Sequence, residues 1–230
     1  MDEKTAREFA EKLNTFIENV VREEYEMIFL KTLLESKWGK YLVFKGGTAL
    51  RLAYNSLRFS EDLDFSLTRK IDWPKLKEVI KNESKQLPAV KLKDLRDKYF
   101  TYFGLFSIKE DYLPQPFLIK IEISKRVCKW KRDFDFTLSQ LSSPVTPLKT
   151  SGFVVTKKRA FLDKKKAVLE RKKGRDLYDL WWLLRDLAKK TSLPDIRYDK
   201  KKVSTELKRF LPKGNWWVIA EILRKNEHQS

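Results

Sequence analysis

Asp62 and Asp64, in the segment RFSEDLDFSL, are the residues of this chain whose type and spacing best suit chemistry. The segment alternates Leu63, Phe65 and Leu67 with Asp62, Asp64 and Ser66, the period of two that gives a strand one apolar and one polar face. Both carboxylates therefore leave the same face, close enough to share a divalent cation. Oxygen ligands suit Mg²⁺. In a two-ion site the ions lie roughly 3.5–4 Å apart, one activating an attacking hydroxyl and the other neutralising charge on a triphosphate and its leaving group. Alone, an Asp-x-Asp pair usually marks a solvated strand face, so its meaning depends on its neighbours.

The neighbours begin upstream with KGGTALR, residues 45 to 51. Glycines let backbone N–H groups approach phosphate, and the helix that follows turns its positive end toward the same place. Lys45, Gly46, Gly47 and Thr48 are thus candidates to hold a nucleotide, with Ser60 as a supporting hydroxyl. Arg51 flanks the same turn and Arg58 precedes the acidic pair; surface charge is the alternative reading for both.

These residues need elements to position them. YLVF, residues 41 to 44, reads as a strand stopped by the glycines, with TALRLAY as the next helix. Residues 5 to 36 carry apolar side chains at steps of three and four, which predicts two helices before that strand. Residues 73 to 86 read as a helix with Pro74 in its first turn, and Tyr99 to Ile108 and Phe117 to Ile123 as strands separated by Pro114 and Pro116. SSPVTPLKTSG, from Ser142 to Gly152, has the composition of a linker. The reading divides the chain into a catalytic core with N-terminal helices, residues 1–141, and a mainly helical C-terminal lobe, 142–230. In that lobe KKKAVLERKKGRDLYDLWWLLRDLAKK breaks at Gly174, and a last helix covers Trp216 to Leu223.

Composition narrows the function classes. The 230 residues carry 50 Lys and Arg against 32 acidic residues, a net charge of +18 whose field attracts polyanions, RNA or DNA above all. A merely soluble Lys-rich surface is the plainer explanation. Fifteen Phe, eight Tyr and seven Trp supply enough apolar surface to offset chain entropy, which excludes a disordered chain. The single cysteine, Cys128, fits a reducing compartment and a structural thiol. The single histidine, His228, sits near the terminus, so histidine acid–base chemistry and histidine-rich zinc sites have little support. No apolar run approaches the roughly 18 residues of a membrane span, and the charged opening MDEKTAREFAEKLN lacks a signal core. A cytoplasmic protein is expected.

Taken in order, FKGGTALR, RFSEDLDF and GRDLYDLWWLL resemble the AbiEii/AbiGii-type nucleotidyltransferases, many of them toxins of toxin–antitoxin systems, over about residues 40 to 185. The resemblance implies a DNA polymerase β-like fold of the α+β class, a mixed sheet flanked by helices with a mainly helical C-terminal lobe. The superfamily's usual Gly-Ser is here Gly46-Gly47. It further implies Mg²⁺ on Asp62 and Asp64, with Lys164 and Asp176 matching the family's late lysine and Arg-Asp motif. Lysine there could neutralise the triphosphate as charge moves to the leaving group, while the acid fixes it. The run of lysines leaves the register open.

Superfamily sites often use a third carboxylate, and Glu122 in FLIKIEISKR occupies a plausible place as a further metal ligand. Lys120, Glu122 and Ser124 share one strand face, so an ordinary half-exposed strand explains the pattern equally well. Asp176 and Asp179 are neighbours on one helix face beside Arg175; helix N-terminal acids facing the dipole, with Tyr178, Trp181 and Trp182 as core, are the alternative. The basic stretches KKRAFLDKKK and RKK, with Tyr198, Trp216 and Trp217, could line an RNA groove, although core packing suits the adjacent tryptophans better.

What the resemblance implies is Mg²⁺-dependent transfer of a nucleotide from an NTP to an acceptor hydroxyl, with an RNA or tRNA 3′ end favoured because some members of the family act there, a cognate antitoxin protein as a possible partner, and no membrane. Nucleotidylation of a partner protein or small molecule, or plain nucleic-acid binding, are the alternatives. Binding alone fits poorly, because carboxylates placed in a polyanion site without a metal would repel the ligand.

Overall fold

The computed structural model describes residues 1–188, 193–194 and 196–224; His228 lies outside the described residues. Two helices, α1 (Glu3–Lys12) and α2 (Ile17–Leu34), come first, as the apolar spacing predicts. Asp2 caps α1 by accepting a bond from the Thr5 N–H, which satisfies one of the helix's free donors. Then follow β1 (Leu42–Lys45), α3 (Gly46–Tyr54), β2 (Asp62–Leu67) and α4 (Trp73–Gln86), the last capped by Asp72 with Pro74 in its first turn. Strands β3 (Val90–Asp97), β4 (Thr101–Ile108), β5 (Phe117–Val127), β6 (Phe136–Ser143) and β7 (Thr146–Val155) complete the sheet. Helices α5 (Lys157–Arg171), α6 (Gly174–Asp186), α7 (Lys200–Phe210) and α8 (Trp217–Arg224) close the chain.

The seven strands run in the order β3-β4-β5-β2-β1-β7-β6. The sheet is mixed: β1 pairs antiparallel with β2 but parallel with β7, and β2 runs parallel to β5. The architecture is α+β, a mixed sheet flanked by helices, as expected. Alternation sorts the side chains. Leu42, Phe44, Leu63, Phe65, Ile119, Ile121 and Ile123 point to one face, where they form a core with Met27, Leu30 and Leu33 of α2 and Leu76 and Ile80 of α4. On the opposite face Val43 meets Leu50, Val155, Ala160 and Leu183, which docks α3, α5 and α6 beside β1 and β7. Val168, Leu177, Leu180, Leu207 and Ile222 build a separate core among the last four helices. No helix among the described residues is long and apolar enough to cross a membrane.

The Ser142–Gly152 segment is a correction to the sequence reading. It is not a linker: it ends β6, turns, and supplies most of β7, whose Phe153 and Val154 pair with Val43 and Phe44 of β1. The boundary expected near Ser142 therefore falls inside a hairpin, and the helical part begins at Lys157. Two prolines and several small polar residues hide the strand in a local reading. Pairing with β1 and cover from α2 stabilise it nonetheless, with Leu34 so close over Gly152 that an added Cβ would lie 2.7 Å from it. β3 was also missed, because its exposed alternate positions are mostly charged and belong to the sheet edge. Cys128 follows β5 and is half-buried; burial pushes its thiol upward in pKa.

Candidate active site

The start of β2 sits between β1 and β5, and strand register decides what faces Asp62 and Asp64. Asp64 lies opposite Lys45 on one side and Glu122 on the other, while Asp62 lies opposite Lys120. Directly opposed residues share a face, so two lysines and three acids form one charged patch. Lys120 Nζ is 3.3 Å from Asp62 Oδ2 and 3.0 Å from Glu122 Oε2. Among the described residues no three carboxylates converge on a single ion position. Glu122 is thus brought beside the aspartates, with its carboxylate turned to Lys120.

Burial pushes the Asp64 carboxyl above its ordinary range, and the charge of Asp62 adds to the shift while Lys45 opposes it. Two close carboxylates in this environment favour a bound cation. The ammonium of Lys120 supplies part of that positive charge. The donor set, oxygen only, fits a hard divalent ion: Asp62 and Asp64 could hold one, with Glu122 within the same patch.

The glycine turn is built against this pair. Gly46 takes φ +84°, and a Cβ added there would lie 2.6 Å from Asp64 Oδ2. A Cβ on Gly47 would lie 2.0 Å from the Arg58 guanidinium and 3.0 Å from Ser60 Oγ. The turn is therefore glycine both for its left-handed backbone and because carboxylate and guanidinium press against it. No side chain caps the start of α3, so its first N–H groups remain available to an anion. Thr48 reaches back instead, its hydroxyl donating to the Asp62 carbonyl at 2.5 Å, which ties the helix start to the acidic strand. Gly46→Ala is expected to lower nucleotide transfer roughly ten- to a hundredfold by displacing Asp64, in line with the cost of small misplacements near reacting groups. Transfer assays beside thermal denaturation check this; unchanged transfer would show that the close approach is immaterial.

The C-terminal helices contribute a buried charge network. α5 ends where Lys172 adopts a left-handed φ of +52°, and α6 starts at Gly174, whose N–H donates to Glu206 Oε2 at 2.7 Å. Of three consecutive lysines, Lys164 is the one that reaches α6: its Nζ lies 2.8 Å from Asp176 Oδ1 and 2.7 Å from Asp179 Oδ2. Asp179 also accepts both arms of Arg58, at 2.8 and 2.9 Å. Burial alone would raise the Asp179 carboxyl, but Arg58 and Lys164 outweigh it and hold the pKa down. For Lys164 burial works downward and is overcome by Asp179 and Asp176, so its pKa rises and the ammonium is secured. Asp176 Oδ2 is buried without a hydrogen-bond partner, an acceptor left open beside this lysine.

Arg175 of α6 links the start of β2 to α7, with contacts of 3.5 Å to Glu61, 3.8 Å to Asp62 and 3.6 Å to Glu206. Arg175 and Lys120 were both named from the sequence, but neither was given a role. Strand alternation placed Lys120 on the face of Glu122, but only the parallel pairing of β2 with β5 puts it against Asp62. Arg58 is not surface charge: it is 2% exposed and braces α6 against the glycine turn. Arg51 does not face the phosphate turn either; it pairs with Glu23, donates to the Ser56 and Leu57 carbonyls and lies over Phe59. Ser60 is buried beside Gly47. Trp216 and Tyr198 pack against the helical core, whereas Trp217 is exposed and meets the edge of Trp181.

Residues 28–210 match the family model described as nucleotidyl transferase AbiEii toxin, type IV TA system. Among solved structures, JHP933 from Helicobacter pylori is 21% identical with a TM-score of 0.54, the alignment covering 93% of this chain and 97% of that one. MenT4, a nucleotidyltransferase toxin from Mycobacterium tuberculosis, is 21% identical with a TM-score of 0.52, over 82% of this chain and 62% of that one. At this identity both likenesses speak for the fold. No curated protein matches the chain.

Proposed function

Because this chain belongs to the AbiEii nucleotidyltransferase toxin family, we propose that it transfers a nucleoside monophosphate from an NTP to an acceptor hydroxyl at an RNA 3′ end, tRNA being the favoured class. The observation that carries the reading is the convergence of the Gly46-Gly47 turn with Asp62 and Asp64 on one side and the Lys164–Asp176 pair, bound through Asp179 and Arg58, behind it. In this reading the N–H groups of Gly46, Gly47 and Thr48, with Lys45 and Ser60 beside them, hold the triphosphate. The acceptor oxygen bonds the α-phosphorus as the bond to pyrophosphate breaks. Lys164 offsets charge collecting on the leaving group, and Asp176 and Asp179 keep that lysine protonated and in place. Asp62 and Asp64 would hold Mg²⁺, Glu122 joining them on release from Lys120, and the ion when bound would lower the acceptor hydroxyl's pKa and neutralise phosphate charge. The net charge of +18 supports a polyanionic acceptor. The mainly helical C-terminal part completes the site, and the family points to an antitoxin as the physiological restraint.

The test is incubation of purified protein with total cellular RNA and each labelled NTP in turn, with Mg²⁺ or with chelator. Label in RNA from one NTP, lost on chelation, is the expected result. Label in a protein band with unlabelled RNA would replace the acceptor, and labelling indifferent to chelation would remove the metal from the scheme.

A further inference from the structure

A cavity of about 440 Å³ opens where the start of α2, the β4–β5 loop and α7 meet. Its walls include Phe16, Leu113, Pro114, Lys208, Arg209 and Trp216. It lies next to the acidic pair without being part of it, because Arg209 reaches 3.2 Å to Glu61, the residue before Asp62. The cavity is mostly apolar, yet it is ringed by cations. Lys208 sits over the Trp216 ring at 5.1 Å, and Lys213 sits over Phe16 at 5.5 Å. Glu18, the one carboxylate among the described lining residues, is neutralised by Arg22 at 2.6 Å and Arg209 at 3.2 Å.

We propose that this cavity receives the base of one unpaired nucleotide near the 3′ end of the acceptor strand. The inference rests on the reading that the acceptor is RNA. A nucleotide combines a flat apolar face with an anionic tail, and the cavity offers aromatic rings at Phe16 and Trp216 with Lys208, Arg209 and Lys213 around them. A hydrocarbon ligand would gain nothing from the three cations. The volume falls within the roughly 300–1,000 Å³ range of small-ligand pockets, so it holds a single nucleotide and is far too small for a duplex. The position suits an acceptor strand: the triphosphate is assigned to the glycine turn, and Arg209, which lines the cavity, contacts Glu61, the neighbour of Asp62. Stacking there would hold the strand end while its terminal hydroxyl reaches the acids.

Trp216 donates to the Leu211 carbonyl and packs on the helical core, so its removal also touches the fold. Phe16 is 44% exposed and Lys208 is exposed, and these two carry the test. The affinity of a 5′-labelled single-stranded RNA with a free 3′ end is measured by fluorescence anisotropy without NTP, together with KM values for RNA and NTP. Phe16→Ala is expected to weaken RNA binding roughly five- to a hundredfold, the range of one lost stacking contact. Lys208→Ala is expected to weaken it and to flatten the salt dependence by about 0.7 in log–log slope. In both, the KM for RNA rises while the KM for NTP and kcat stay unchanged. Unaltered RNA affinity and KM in both variants, with RNA still labelled by the wild type, would overturn the cavity's role and leave the proposed activity standing; that is also the outcome if a protein segment fills the cavity. Label confined to a protein band would overturn both.

Discussion

Replacing Asp62 and Asp64 together by alanine is expected to leave a folded protein whose nucleotide transfer falls by at least about a thousandfold, the scale of losing charge stabilisation at a reacting phosphate. The same change should not weaken the metal-free protein at neutral pH. Burial and then the charge of Asp62 raise the Asp64 carboxyl, so in the folded state its proton is held more tightly than in the unfolded chain. A group with that shift costs the fold nothing below its ordinary value of 3.8 and costs progressively more as pH rises through the raised one. Removing it at pH 7 therefore relieves a penalty. Thermal denaturation in chelator, at pH 7 and again near pH 4, together with transfer assays, checks both halves. Retained transfer would remove the acids from the chemistry, and a large loss of melting temperature would make them structural.

The largest stability effect is expected at Arg58. Arg58→Ala removes the bidentate partner of Asp179 where both side chains are nearly inaccessible, 2% and 1% exposed. Breaking a buried ion pair from one side leaves an uncompensated charge and typically costs about 3–5 kcal/mol. Lys164 remains beside Asp179 and places the expected loss toward the lower end. Asp179 is held below its ordinary value of 3.8, so its contribution is complete above that value and lost as pH falls through the depressed one. Urea denaturation should show a deficit for Arg58→Ala at pH 7 that shrinks in acid, once Asp179 is protonated and needs no partner. A deficit independent of pH would point to lost packing. Arg58→Lys should recover only part of the stability, since one ammonium cannot reproduce two parallel N–H···O bonds.

These two experiments separate what the site does from what holds it. Asp62 and Asp64 are displayed at the start of a central strand, where burial and the charge of Asp62 raise the Asp64 carboxyl. Arg58 and Asp179 lie behind them and join α6 to the glycine turn. A variant in the first group should lose activity and keep its fold, and one in the second should lose stability first.

Much of the first group was legible in the amino-acid sequence because it depends on local periodicity. Alternation along RFSEDLDFSL places both acids on one strand face, and a glycine pair between an apolar run and a helical run announces a turn at a helix start. The class of the fold was implied by the family resemblance that those motifs carry. The fate of each arginine did not. Arg51 and Arg58 look alike beside the turn, yet one pairs with Glu23 of α2 and the other with Asp179 of α6, partners 28 and 121 residues away. The β6–β7 hairpin was hidden for a similar reason: its strand character comes from β1 beside it and α2 above it.

By itself the sequence determined the acidic strand, the glycine turn and the helical spacing around them, since each follows from side-chain direction over a few successive residues. Tertiary structure alone decided which charges meet: that Lys120 lies against Asp62 and Glu122, that Lys164 rather than its two neighbours reaches Asp176 and Asp179, and that Arg58 is buried. Local pattern sets which way a side chain points, but the partner that waits there is set by strand register and helix docking.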